Sequence, residues 1–225
     1  MMTDKELEML MKKASRKQLV KVTSISVLIV MALLVIGTLT YNKHYNKWPF
    51  STGKIAGVPD NTIIRVQETN QFTNLLFPAQ ENLLFNTRGN RVVVYMERYE
   101  KSTLKETKEL VALSADTALD NDLSGSVQWG MIDWGVTEDN IRIALKVNGN
   151  EATASYTLKT QEDSVSVNTG IGYESLDLDN KIPVLIGFWG AGKDQTNSAI
   201  YDENGFHKED LEINSESFAL FIKVI

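Results

Sequence analysis

Between residues 22 and 41 the chain reads VTSISVLIVMALLVIGTLTY, with no charged side chain and no polar face. Its Thr and Ser are scattered, and each can return a hydrogen bond to its own helix backbone. At about 1.5 Å rise per residue these residues make a helix of roughly 30 Å, the thickness of a bilayer's hydrocarbon core. A buried core helix would show a polar stripe. A cleaved signal sequence would have a shorter apolar run ending in a small-x-small site, and the best such site here, Val35-Ile36-Gly37, lies inside the run. The pattern therefore predicts a retained transmembrane helix over residues 22–41. Ahead of it, in residues 1–21, Leu7, Leu10, Met11 and Ala14 recur at helical spacing behind Thr3 and Glu6, which match a capping box.

Beyond residue 60 the period changes to two. Ile141, Ile143, Leu145 and Val147 alternate with polar or small residues, Asn148-Gly149 supplies the strongest short hairpin signal, and Ala152, Ala154, Tyr156 and Leu158 resume the alternation. A turn at Asn148-Gly149 sets Leu145 opposite Ala152, Ile143 opposite Ala154 and Ile141 opposite Tyr156, with Lys146 opposite Glu151 on the wet face. Residues 61–66, 91–97, 164–173 and 218–224 also read as strands, the last two by strict alternation. Residues 103–113 fit neither period and are open between helix and strand. Residues 42–60, with Pro49 and Pro59 among Gly and Asn, read as a stalk. The expected architecture is one N-terminal transmembrane helix followed by a mainly-β antiparallel sheet or sandwich over residues 61–225, with room for one short helix.

Charge orients the span. Residues 1–21 hold six cations, Lys5, Lys12, Lys13, Arg16, Lys17 and Lys21, against Lys43, Lys47 and Lys54 on the other flank, so the N-terminus is expected in the cytoplasm and the C-terminal domain outside. Tyr41, Tyr45 and Trp48 suit the outer membrane–water boundary. The chain's formal net charge is −6; setting aside the tail's six cations and three acids leaves the rest at −9, which repels phosphate backbones and argues against nucleic acid as a partner. The absence of cysteine excludes disulfides, thiolate metal sites and a thiol nucleophile.

Four constellations bear on chemistry. Gly187-Phe188-Trp189-Gly190-Ala191-Gly192-Lys193 has the spacing of a phosphate-cradling loop, but Asp194 stands where a magnesium-holding hydroxyl belongs and no helical period follows, so nucleotide is not expected. The stretch reads instead as a turn between strands, with Phe188 and Trp189 either capping the core or offering a contact patch. Asp120, Asp122 and Ser124 with Gly125 copy the opening of a calcium loop, although Met131 stands where its bidentate glutamate should be; turn chemistry is the competing reading. Trp129 and Trp134, five residues apart, fall on opposite faces of any strand through both, so one is a candidate anchor for a ligand. The two histidines, His44 and His207, lie in polar surroundings with no nucleophile-elbow pattern, and no catalytic residue or cofactor is expected.

The layout of the first fifty residues, a short TDKELEMLMKKASRKQLVK tail before a single apolar span and a β-rich remainder, resembles that of bacterial sigma-factor regulators. The zinc site of the better-known anti-sigma factors is excluded by the lack of cysteine. The resemblance implies signalling across the membrane and carries over no functional residue; by its own spacing the tail reads either as a helix that extends the span inward or lies on anionic lipid, or as a docking helix that offers Leu7, Leu10 and Met11 to a cytoplasmic protein. Two functions stand open: a membrane-anchored regulator or sensor coupling an exterior binding domain to the tail, and an envelope binding or structural module, such as a complex subunit or immunity-type protein, whose tail only anchors.

Overall fold

The computed structural model describes residues 4–51, 53–66, 79–115, 122–132, 138–159, 165–168, 173–177, 181–189, 201–202 and 205–225. The first element is a single helix, α1 (Asp4–His44), so tail and span form one rod. The rod is unbroken because the stretch holds no proline and a single glycine, Gly37. Thr23, Thr38 and Thr40 each donate a 2.8 Å hydrogen bond to the carbonyl four residues back, which hides their hydroxyls as the sequence predicts. Its stretch Met11–His44 reaches a mean hydropathy of 2.6 over its most apolar window, none of it buried, making α1 apolar enough to cross a membrane.

Antiparallel strands follow. β1 (Thr62–Val66), β2 (Ala79–Arg88), β5 (Asp122–Ile132), β6 (Glu138–Val147), β7 (Asn150–Lys159) and β9 (Tyr173–Ser175) form one sheet in the order β7-β6-β5-β2-β1-β9. β3 (Arg91–Glu100), β4 (Thr103–Ser114), β8 (Val165–Asn168), β10 (Ile182–Trp189) and β13 (Glu216–Val224) form the second in the order β4-β3-β13-β10-β8. β11 (Tyr201–Asp202) pairs with β12 (Gly205–Phe206), and the short helix α2 (Lys208–Ile213) precedes β13.

The sheets share one apolar core. The first contributes Leu83, Phe85, Val127, Ile143 and Leu145, the second Val94, Met96, Phe218, Leu220 and Ile222. At one side β4 packs against β6 and β7, where the Tyr156 hydroxyl donates to Glu106 at 2.9 Å. Burial and that carboxylate push the phenol up to about 12. A second, smaller cluster lies on the far face of the second sheet, where Phe206 and Leu211 cover Ala219 and Tyr99.

The hairpin at Asn148-Gly149 forms in the predicted register, Leu145 to Ala152, Ile143 to Ala154, Ile141 to Tyr156 and Lys146 to Glu151. Both turn residues have positive φ, 48° and 90°, as a type I′ turn requires. Residues 103–113 belong to a strand. Leu110 and Lys105 are extra residues in β4 against β3, and each bulge reverses the alternation, which is why neither period fits. The run from 164 to 173 is two strands, β8 in one sheet and β9 in the other. β13 departs from the expected alternation: Ala219 and Phe221 are as buried as Leu220 and Ile222, because both faces of this central strand are covered.

Candidate functional site

The glycine stretch is built differently from a phosphate loop. Gly187 lies within β10, paired to Phe218 of β13 on one side and Val167 of β8 on the other. A Cβ at Gly187 would sit 2.0 Å from the Phe218 ring, so this glycine is required by an aromatic side chain lying across the strand. Phe188 and Trp189 complete β10, opposite Ser217 and Glu216. Gly190 to Asp194 lie outside the described residues.

Asp122 and Ser124, expected in a loop, open strand β5 instead; Asp120 lies outside the described residues. Leu123 between them is fully buried, and Gly125 is needed because a Cβ there would meet the Lys146 carbonyl oxygen at 1.8 Å. The charge between the nearby carboxylates is already supplied by the chain: the Lys54 ammonium lies 2.7 Å from Asp60 and 4.0 Å from Asp122, and Arg88 binds Asp122 at 3.1 Å. Burial acts to raise the Asp60 pKa, but hydrogen bonds from Lys54 and Asn46 outweigh it and hold the carboxyl below its ordinary range. Among the described residues no group of three His, Asp or Glu is placed to hold a metal.

Asp60 belongs to the junction between helix and sandwich. α1 ends in a Schellman arrangement: Asn46, at φ 49°, donates its N–H to the Lys43 carbonyl, and the Lys47 N–H reaches Asn42 at 2.8 Å. The buried Asn46 side chain donates to the Val58 carbonyl and to Asp60, both at 2.8 Å. From the sheet, buried Asn86 accepts from the Ile55 N–H and donates to the carbonyls of Ile55 and Val58. Of residues 42–60, expected as a stalk, 42–44 instead end α1, and the described residues from 45 to 60 are irregular chain tied at both ends to ordered elements. Trp48, 82 % exposed, and Phe50 are exposed beside the junction, and the Lys47 ammonium lies 4.6 Å over the Tyr41 ring.

The other candidates divide. Leu7, Leu10 and Met11 lie on α1, and Met11 is exposed. Trp129 is in the core; Trp134 lies outside the described residues. His44 ends α1, and His207 is exposed just before α2, its Nδ1 4.0 Å from Asp210. On the second sheet's far face, Glu97 is buried between the Lys181 ammonium and the Tyr99 hydroxyl, the latter at 3.0 Å; Lys181 also lies over the Phe221 ring. Burial and the carboxylate together raise the Tyr99 pKa, and this internally neutralised pair serves the packing beneath α2.

A cavity of about 410 Å³ lies on the outer face of the first sheet. Its position follows from the register. Glu81, Trp129, Ile143 and Ala154 face one another across four strands with their side chains toward the core, so their backbones form the floor. The neighbouring rows point outward. Gly130 and Ala144 leave a depression, and Gln80, Gln128, Thr153 and Ser155 stand around it with the exposed Arg142. Sequence reading passed over these residues because nothing marked residues 79–88 as a strand, and an arginine on the wet face of a hairpin is unremarkable until its cross-strand neighbours are known.

Fold and site define a class: a two-sheet antiparallel sandwich carried on one N-terminal helix of membrane-spanning character, with a trough on an outer sheet face. Residues 75–224, more than half of the chain, match the YgaN domain family, and the chain belongs to that family. The matched stretch holds every residue of the trough and, of the junction, Asn86, and leaves α1 and residues 45–60 outside it. No curated protein and no solved structure matches the chain.

Proposed function

We propose that this is a single-pass membrane protein with residues 4–21 in the cytoplasm and the sandwich outside, acting as a regulator or sensor in which the exterior domain binds a ligand and the helix carries the consequence to a cytoplasmic protein. The observation that supports the coupling is the junction: α1 runs without a break from Asp4 to His44 and its end is fastened through Asn46 and Asn86 to the sheet itself. A tether needs no such fastening. The cation excess ahead of the span supports the orientation, and the exposed Tyr41, Trp48 and Phe50 suit the outer interface.

The natural lack of cysteine makes the test direct. Lys12→Cys and Glu151→Cys are each labelled with a membrane-impermeant maleimide on cells stripped of their wall. Labelling at 151 with protection at 12 is expected; the reverse overturns the orientation. Capture from membranes with wild-type chain and with the order of Leu7, Leu10, Met11 and Ala14 scrambled then separates the functions. A cytoplasmic protein held only by the wild-type tail supports a regulator, and identical captures favour an envelope module with the tail as anchor.

A further inference from the structure

We propose that the outer trough of the first sheet is a binding site for a small hydroxylated carboxylate, of which a sugar acid is the simplest kind. This rests on the reading of the sandwich as a binding domain and names its ligand class. Arg142 carries the argument. The other four arginines of the sandwich each hold a carboxylate: Arg65 to Glu81 at 2.9 Å, Arg88 to Asp122 at 3.1 Å, Arg91 to Glu109 at 2.5 Å and Arg98 to Glu216 at 3.2 Å. Arg142 holds none among the described residues. Directly across from it lie Gly130 and Ser155, two positions along its strand lie Asn140 and Ala144, and the four diagonal positions are uncharged as well. In a chain of net charge −6, an arginine set among neutral residues at the rim of a cavity offers its whole planar fork to an incoming carboxylate.

The rest of the trough fixes the remainder of the ligand. The amides of Gln80 and Gln128 and the hydroxyls of Thr153 and Ser155 both donate and accept, matching the hydroxyl groups of a polyol. The one aromatic residue of the lining, Trp129, points into the core, so a neutral sugar finds no ring to stack on and charge must anchor the ligand. A volume of about 410 Å³ suits one or two sugar rings.

Calorimetric titration of the full chain in detergent with galacturonate, galactose and acetate tests this. Galacturonate should bind, and galactose and acetate should bind at least tenfold more weakly. Arg142→Gln should lower galacturonate affinity at least tenfold, Arg142→Lys should restore part of it, and Ala144→Leu, which fills the depression, should abolish it. Lys146→Gln, on the same face two residues along, should leave it unchanged. All variants should melt with the wild type. No binding of galacturonate, equal binding of galactose or acetate, or indifference to Arg142→Gln would overturn the assignment. Because detergent-solubilised protein reports nothing of orientation, failure here with correct maleimide labelling removes only the ligand class.

Discussion

Gly187→Ala adds a single methyl group and tests why the glycine of a phosphate-loop-like spacing is there. The new Cβ would lie 2.0, 2.5 and 2.8 Å from three carbons of the Phe218 ring, and ordinary contact begins near 3.4 Å, so the ring must retreat by about 1.4 Å. Phe218 is fully buried in the shared core, and closely packed neighbours oppose that movement. Overpacking of this kind costs about 1–3 kcal/mol. Against it stands the gain of about 0.5–1 kcal/mol from replacing glycine within a strand. Displacing a fully buried ring by about 1.4 Å belongs at the upper end of that cost, about 2–3 kcal/mol, so the expected net is a loss of about 1–2.5 kcal/mol, with a fall in Tm of roughly 2–4 °C per kcal/mol for a domain of this size. Thermal and urea melts of the full chain in detergent read it. Phe218→Leu, which shortens the obstructing group, should make the alanine nearly neutral in the double variant, a coupling that independent sites do not show. A Gly187→Ala chain as stable as the wild type, or strictly additive costs, would refute the packing explanation. Lys193→Ala, tested for triphosphate binding beside it, should change nothing.

Gly149→Val forces a β-branched residue to φ 90° and should cost about 1–3 kcal/mol, whereas Lys146→Ala, which removes half of an exposed cross-strand pair, should cost at most about 1 kcal/mol in the same melts. Asn86→Ala leaves the Ile55 N–H without its acceptor and takes one of two donors from each of the Ile55 and Val58 carbonyls, which keep the Val58 N–H and the Asn46 amide; a loss of about 1–3 kcal/mol is expected, with faster amide exchange over residues 53–58. The Asp60 carboxyl titrates lower in the folded chain than its ordinary 3.8, so its contribution is complete above that pH and is lost as pH falls through the folded value. Asp60→Asn should flatten the stability profile below about pH 4 and leave its shape at pH 7 intact; an unchanged acid limb would show that Lys54 and Asn46 do not act on it.

What the sequence disclosed, and what it hid, follows from how locally each element is determined. The hairpin of β6 and β7 was legible to the residue because its turn, its alternation and its charge pair lie within twenty consecutive positions. The apolar helix was legible for the same reason, composition alone deciding it. β4 was illegible because two bulges reset its alternation, and a bulge depends on the partner strand. β2 was overlooked because Leu83, Leu84 and Phe85 run consecutively, Leu84 being half covered on the outer face. The trough went unseen for the deeper reason that it consists of small and neutral residues on four strands, none of them notable alone. Lys54 was counted as one more cation beside the membrane, while its role between Asp60 and Asp122 needs a loop folded back over the sheet.

The position of β13 governs when the domain can exist. In the second sheet β13 lies between β3 and β10, yet among the described residues it follows every other strand along the chain. A ribosome therefore delivers β3 with β4, and β10 with β8, as separate ribbons whose facing edges have no partner until the codons for residues 216–224 have been read. Phe218, Leu220 and Ile222 arrive with that strand, so much of the second sheet's share of the core arrives in the same few seconds. Before then the apolar face of the first sheet, with Leu83, Phe85, Val127, Ile143 and Leu145, has only part of its cover. A stop codon ahead of residue 216 would remove the central strand and leave an interrupted sheet with two sticky margins.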